Sequence, residues 1–342
     1  MKIAFHNLYE ELNKNNFMFE NHNASIGDNL LSPLIHLKAY AAQRGHTIAS
    51  TDIIIPENAD AIVFIDMPDE NNVILQRAIA TYKPLYLLAL ESPLIRPQSF
   101  DINKHSYFEK VFTWDDNLIQ TNPDKYIKIN YSFELPESID VDLSKKTKLC
   151  TTIAGYKHAI HPYELYSKRI EAIRWFEQNH LEDFDLYGIG WDSYRFKGPK
   201  VIRALNRIKP LTKLLAPSFP SYKGKVDRKK EVLEKYKFAI CYENARDIPG
   251  YITEKIFDCF FAGCIPIYWG ADNITNYIPH TCFIDQRNFK SYEELYKHIQ
   301  SMSDTEYKFY LENIETFLKS TQAYLFSNNY FADTILKSFD NE

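Results

Sequence analysis

Residues 236–270 read YKFAICYENARDIPGYITEKIFDCFFAGCIPIYWG. Phe238 to Tyr242 is a strand-length apolar run. Glu243 to Gly250 is polar and closes on Pro249-Gly250, a turn signal. Tyr251 to Ala262 has helical spacing and stops at Gly263, and Ile265 to Trp269 is a second apolar strand. Strand, loop, helix and strand in this order build parallel sheet, with the helix N-terminus facing the crevice beyond the strand ends. The first-turn N–H groups and the macrodipole make that end an anion site. Lys255 falls in the same turn, where a cation opposes the dipole, and a bound diphosphate would offset that cost. Glu254 is placed to accept hydrogen bonds from ribose hydroxyls. The plainer alternative is an exposed Glu–Lys pair on an ordinary helix.

The same alternation continues in both directions. Upstream, Lys2 to Phe5, His46 to Ala49, Ala61 to Ile65, Pro84 to Leu90, Lys110 to Trp114 and Tyr126 to Tyr131 read as strands. Asp28 is a plausible N-cap for a helix ending at Gly45, and Asn72 to Tyr82 is a second helix. Leu135 to Lys148 reads as a linker. Beyond it come strands Lys148 to Ala154 and Phe184 to Tyr187, and helices Pro162 to Asn179, Lys229 to Tyr236, Glu293 to Ser301 and Glu306 to Ser320. Continuous apolar strands between amphipathic helices imply α/β architecture, with parallel sheets covered on both faces. The expected organisation is two Rossmann-like doubly wound domains facing a central cleft. Residues 1–145 are expected to form one domain and 146–325 the other, with a basic insertion at 195–230 and a tail at 326–342.

Composition narrows the class. The chain has 342 residues, enough for a sizeable core in each of two domains. Net charge is −5, which gives no overall attraction to nucleic acid. No apolar stretch reaches transmembrane length, and Met1-Lys2-Ile3-Ala4-Phe5 runs into His6-Asn7 without a signal-like core. Five cysteines without CxxC spacing argue against a disulfide framework or a structural zinc site. A cytoplasmic protein with reduced thiols is expected.

The 236–270 stretch resembles the donor-binding signature of family 10 glycosyltransferases, the α-1,3/4-fucosyltransferases. The matching residues are Tyr236-Lys237-Phe238, Glu243-Asn244, Tyr251-Ile252-Thr253-Glu254-Lys255 and Pro266-Ile267-Tyr268-Trp269-Gly270. Phe184-Asp185-Leu186-Tyr187-Gly188 resembles the family's D-x-Y-G strand end, and Arg169 occupies the place of an arginine that contacts the donor phosphates. The resemblance implies a GT-B fold with GDP-fucose held by the C-terminal domain. It also implies donor contacts from Arg169, Tyr187, Gly188, Asn244, Tyr251, Glu254 and Lys255, with Arg169 stabilising the departing GDP. In the first domain, Leu85 to Leu90 delivers Glu91 to a strand end, followed by Ser92 and Pro93. A carboxylate there is expected to have a raised pKa, suiting a general base. The family has a similar triplet whose Glu is proposed to deprotonate the acceptor hydroxyl. One displacement from the face opposite GDP would invert configuration. Glu243 and Glu254 are eleven positions apart, which disfavours the retaining E-x7-E pattern.

Other signals are weaker. Asp183-Phe184-Asp185 and Asp140-Val141-Asp142 have a D-x-D form, but one lies on a strand and one in the linker, so both read as structural. No metal ligand is assigned, and a divalent metal is possible without being required. Between residues 195 and 230, twelve Lys and Arg alternate with Val201, Ile202, Leu205, Ile208, Leu211, Leu214 and Leu215. That run is either a packed surface insertion or a basic amphipathic face for anionic membrane, which would hold the enzyme at the inner membrane face beside a lipid-linked glycan acceptor. The sugar is open to another GDP-deoxysugar, and a non-catalytic nucleotide- or glycan-binding relative is the alternative of a different class.

Overall fold

Apolar runs separated by helix-length segments produce two parallel sheets in succession. The computed structural model describes residues 1–21 and 30–339. The Asp28 cap therefore lies outside the described residues. The first sheet contains β1 (Lys2–Asn7), β2 (Thr47–Ser50), β3 (Ala61–Ile65), β4 (Leu85–Ala89), β5 (Lys110–Thr113) and β6 (Tyr126–Lys128). Its order is β2-β1-β3-β4-β5-β6, with every pair parallel. β3 and β4 are buried along their whole length, as continuous apolar strands in a doubly covered sheet must be. The helix Val73–Ala80 packs Leu75 and Ala78 on one face, and Ser32–Gln43 packs Leu34, Leu37 and Ala41 on the other.

The second sheet contains β7 (Lys148–Ile153), β8 (Phe184–Tyr187), β9 (Tyr222–Gly224), β10 (Tyr236–Tyr242), β11 (Ile265–Trp269) and β12 (Ile284–Asp285). Its order is β12-β11-β10-β7-β8-β9, again all parallel. The chain runs outward from β7 to β9, then crosses back to β10. Strand order therefore reverses between β7 and β10, and a crevice opens at their carboxyl ends.

Three elements differ from the sequence reading. The donor-side helix spans Glu254–Phe261, three residues later than expected. After the Pro249-Gly250 turn the Tyr251 and Ile252 N–H groups donate back to Ile248 and Gly250, Thr253 is extended, and Tyr251 packs against the first domain, so the helix starts only at Glu254. The segment read as a tail contains a helix, Asn328–Lys337, N-capped by Ser327. Its Phe331, Ala332, Ile335 and Leu336 join the core of the first domain, and Asp333 accepts hydrogen bonds from Tyr40 at 2.6 Å and Arg44 at 2.9 Å. The apolar spacing of that helix is the reason it returns. The basic insertion folds as short helices, Lys200–Ala204 and Lys209–Leu214, ahead of the edge strand β9.

Candidate active site

The end of β10 organises the start of the helix Glu254–Phe261. The Glu243 N–H donates to the Trp269 carbonyl at 2.8 Å, turning its side chain into the interior, where it is fully buried. The carboxylate accepts from the Thr253 N–H at 2.8 Å, the Thr253 hydroxyl at 2.6 Å and Lys255 Nζ at 3.2 Å. Gly270 makes room for this: a Cβ there would lie 2.6 Å from Glu243 Cγ and 2.3 Å from the Tyr268 hydroxyl. Glu243 thus anchors the start of the helix and supplies a counter-ion for Lys255.

Lys255 therefore does not stand alone against the helix dipole. Burial disfavours its charge, but Glu243 and Glu254 outweigh that and hold its pKa well above the usual lysine range. Glu254 is pushed down to about 2: burial opposes ionisation, and Lys255 and Lys229 overcome it. Both residues are charged at neutral pH.

Arg169 is buried on the helix Tyr166–Asn179, not paired on the surface with Glu171 or Glu177. Its Nη2 donates to the carbonyls of Tyr242 at 2.8 Å and Glu243 at 3.3 Å, which fixes the guanidinium against the strand end. Burial lowers its pKa without removing its charge. Arg169, Gly188, Asn244, Glu254 and Lys255 together line a cavity of about 770 Å³ at the carboxyl ends of β7, β8 and β10. Gly188 has φ +130°, and a Cβ there would sit 1.9 Å from the Ala154 carbonyl, so only glycine lets these two strand ends approach. Lys157, Tyr194, Arg195 and Lys209 line the same cavity, so the insertion forms part of its wall.

Two expected donor contacts do not line that cavity. Tyr187 lies on the Asp185 face of β8, and its hydroxyl meets the Tyr236 hydroxyl at 3.1 Å. Side chains alternate along a strand, so the residue before Gly188 shares the side of Asp185, which pairs with Lys148 and Lys223. This also accounts for the Asp183-Phe184-Asp185 motif: Asp183 accepts from Tyr296 and Asp185 neutralises lysines. Asp142 of the other D-x-D caps a short turn. Tyr251 is buried against Trp114 of the first domain, with ring centroids 4.7 Å apart.

On the first domain, Glu91 stands just beyond β4, half-buried, and accepts a hydrogen bond from the Tyr9 hydroxyl at 3.0 Å. The adjoining Leu90 carbonyl accepts from Trp114 Nε1–H at 2.9 Å, and the Trp114 ring packs on Tyr251 of the second domain. The buried phenol of Tyr166 lies in the combined field of Arg169, Lys255 and Glu91, and that of Tyr251 in the field of Lys255, Glu243, Glu91 and Glu254. Tyr166 was not anticipated. It lies one turn before Arg169, and its hydroxyl has no partner among the described residues, an arrangement suited to a ligand or water. Its spacing from Arg169 on one helix face is the signal that would have found it.

Asp66 was also not anticipated. It follows β3 with φ +58° and accepts from the N–H groups of Leu90 at 3.1 Å and Glu91 at 3.0 Å, and from the Ser99 hydroxyl at 3.1 Å. Burial first, and then the charge of Glu91, push its pKa up to about 7. The unfolded chain ionises this group near 4, so between about pH 4 and 7 the folded state holds the extra proton. Stability is therefore expected to fall across that window as pH rises, by up to about 4 kcal/mol from this group. Asp66→Asn should remove this part of the slope. The check is the melting temperature of both forms at pH 5 and pH 8, with the variant gaining on wild type at the higher pH.

A cavity lined by fixed cations at the β7/β10 switch point, on the second of two parallel-sheet α/β domains, belongs to a GT-B architecture. Solved structures share this fold. A crystal structure of α1,3-fucosyltransferase with GDP-fucose aligns with TM-score 0.53 at 15% identity, covering 100% of this chain and 91% of that one. Anabaena HepE in complex with UDP-glucose aligns with TM-score 0.56 at 10% identity, covering all of both chains. Residues 201–331 match the family model described as glycosyltransferase family 10 (fucosyltransferase) C-term. It is 38% identical over 98 residues to the α-(1,3)-fucosyltransferase FucT of Helicobacter pylori, covering 28% of this chain and 20% of that protein. It is 36% identical over 69 residues to an α-(1,4)-fucosyltransferase of Arabidopsis thaliana, covering 20% and 17% respectively. The matched stretches thus span about a fifth of these relatives' lengths.

Proposed function

We propose that the protein transfers L-fucose from GDP-fucose to a hydroxyl of a surface-glycan acceptor, most simply in an α-1,3 linkage, with inversion. The observation that carries this reading is the cavity lined by Arg169, Asn244, Glu254 and Lys255, beside a loop whose Tyr251 packs on Trp114, the residue that holds the Leu90 carbonyl next to Glu91. Lys255 and Arg169 balance the diphosphate, and Arg169 stabilises the negative charge that develops as GDP departs. Glu254 and Asn244 face the cavity from the donor domain and orient the nucleotide sugar. Glu91 removes the proton of the acceptor hydroxyl, whose oxygen attacks the anomeric carbon while the bond to GDP breaks. The fixed cations need no divalent metal to carry the charge of the diphosphate. The test is release of GDP from a panel of GDP-sugars, with and without glycan acceptors. Acceptor-dependent release from GDP-fucose is expected. Turnover of a different GDP-deoxysugar alone would reassign the donor, and no turnover with no GDP binding would overturn the reading.

Peripheral contact with an anionic membrane through 195–230 belongs to the same proposal. No described helix is long and apolar enough to cross a membrane. Val201 and Leu214 are each 82% exposed, among the exposed cations Lys200, Arg203, Arg207, Lys209 and Lys213, for which no ion pair forms among the described residues. Apolar and basic side chains exposed together suit an interface with acidic lipid headgroups. Wild type should co-sediment with vesicles containing anionic phospholipid, and a variant with Lys200, Arg203, Arg207 and Lys213 changed to Gln should bind at least tenfold less, since each cation contributes about 1 kcal/mol. Equal binding by both would exclude the contact.

A further inference from the structure

Glu91 belongs to the first domain and the donor to the second, so something must aim one at the other. The Leu90–Glu91 backbone is gripped from two sides. The Leu90 carbonyl accepts from Trp114 Nε1–H at 2.9 Å and from the Tyr131 hydroxyl at 2.6 Å. The N–H groups of Leu90 and Glu91 both donate to Asp66. Trp114 is fully buried, and its own carbonyl accepts from Lys128 Nζ at 2.7 Å. Its ring packs on Tyr251, in a cluster with Ala245 and Ile248 of the donor loop. Gly250 permits this approach, because a Cβ there would lie 2.2 Å from the Trp114 carbonyl.

We propose that Trp114 is a positioning residue that ties the orientation of Glu91 to the state of the donor loop 244–251. The inference rests on the transferase reading above. One face of the indole follows Tyr251, while its N–H holds the carbonyl of the residue before the base. A donor that fixes Asn244 and Lys255 also fixes Tyr251, and through Trp114 it fixes the backbone from which Glu91 projects. Misplacing a catalytic group by about 1 Å costs on the order of 100-fold in rate, so a partial loosening has a readable effect.

Trp114→Phe keeps a ring against Tyr251 and removes the N–H. It should lower kcat about tenfold while leaving the affinity for GDP within about twofold. Tyr131→Phe removes the other donor to the same carbonyl without touching Tyr251, and the double variant should lose more than the product of the single losses. In a Glu91→Gln background, Trp114→Phe should add nothing, because its effect passes through Glu91. An unchanged kcat in both the Trp114→Phe and the double variant would overturn the proposal, as would an equal loss with and without Glu91. If Trp114→Phe fails to fold, Tyr131→Phe carries the kinetic test alone: a lower kcat at unchanged GDP affinity supports the grip on Leu90, and an unchanged kcat sinks it. A readout without turnover separates this proposal from the transferase reading: GDP added to wild type should change the intrinsic fluorescence, and the change should be smaller in Trp114→Phe, where only the other tryptophans, such as Trp191 bonded to the cavity-lining Ala154 carbonyl, respond. Identical responses would sink the coupling even if sugar transfer is confirmed, and the expected difference would support it even if the donor sugar is not fucose.

Discussion

Glu91→Gln is expected to reduce glycosyl transfer by about 10²- to 10⁴-fold, the range over which a positioned general base acts, while GDP affinity stays within about threefold. Glutamine fills the same volume and still accepts from the Tyr9 hydroxyl, so the strand end keeps its shape. What is lost is a group able to take a proton. The donor cations lie on the other domain and are untouched, which is why binding and turnover should separate. The fold gives a second check. The charge of Glu91 is one of the causes that raise the Asp66 pKa, so removing it relieves a repulsion beside a buried carboxyl. The melting temperature at pH 8 should therefore hold or rise. A loss of transfer accompanied by lower stability and weaker GDP binding would instead make Glu91 a structural residue.

The legibility of this site follows from where its interactions are local. Tyr236 to Gly270 was readable because one βαβ unit contains its own strand ends, turn and helix start. The position of Glu91 just beyond a buried strand was readable because β4 is a continuous apolar run that stops before a carboxylate. The start of the donor helix was misplaced because Tyr251 is held by Trp114, more than a hundred residues upstream, and no local pattern records that contact. Asp66 and Tyr166 were missed for a related reason. Each is an ordinary residue in its own segment and gains meaning only when β3 meets β4, or when the two domains meet. The helix Asn328–Lys337 carried an amphipathic pattern, but the sheet on which it packs is built from the opposite end of the chain. Glu243 appeared in the signature as a matching letter. Its role as a buried anchor depends on Gly270 leaving space for it, and spacing alone does not reveal that.

That anchor makes Lys255→Met the second large effect. Lys255 lies between the cavity and Glu243, and its removal does two separable things. It takes a cation from the diphosphate, and charge-assisted hydrogen bonds of this kind contribute about 1.5–3 kcal/mol, so GDP affinity should fall on the order of 100-fold. It also leaves the fully buried Glu243 without its counter-ion, with only the Thr253 N–H and hydroxyl remaining. Stranding a buried charge destabilises by about 3–5 kcal/mol, and the Thr253 bonds place the expected loss near the lower end. Lys255 has a folded pKa above its ordinary value, so its stabilising contribution is fully present below the usual lysine range and lost only at higher pH. Adding Glu243→Gln to Lys255→Met removes the stranded charge and should recover most of the melting temperature without restoring GDP binding. Recovery of both would mean that Lys255 acts on the donor only by organising the loop, whereas recovery of stability alone assigns it to the diphosphate.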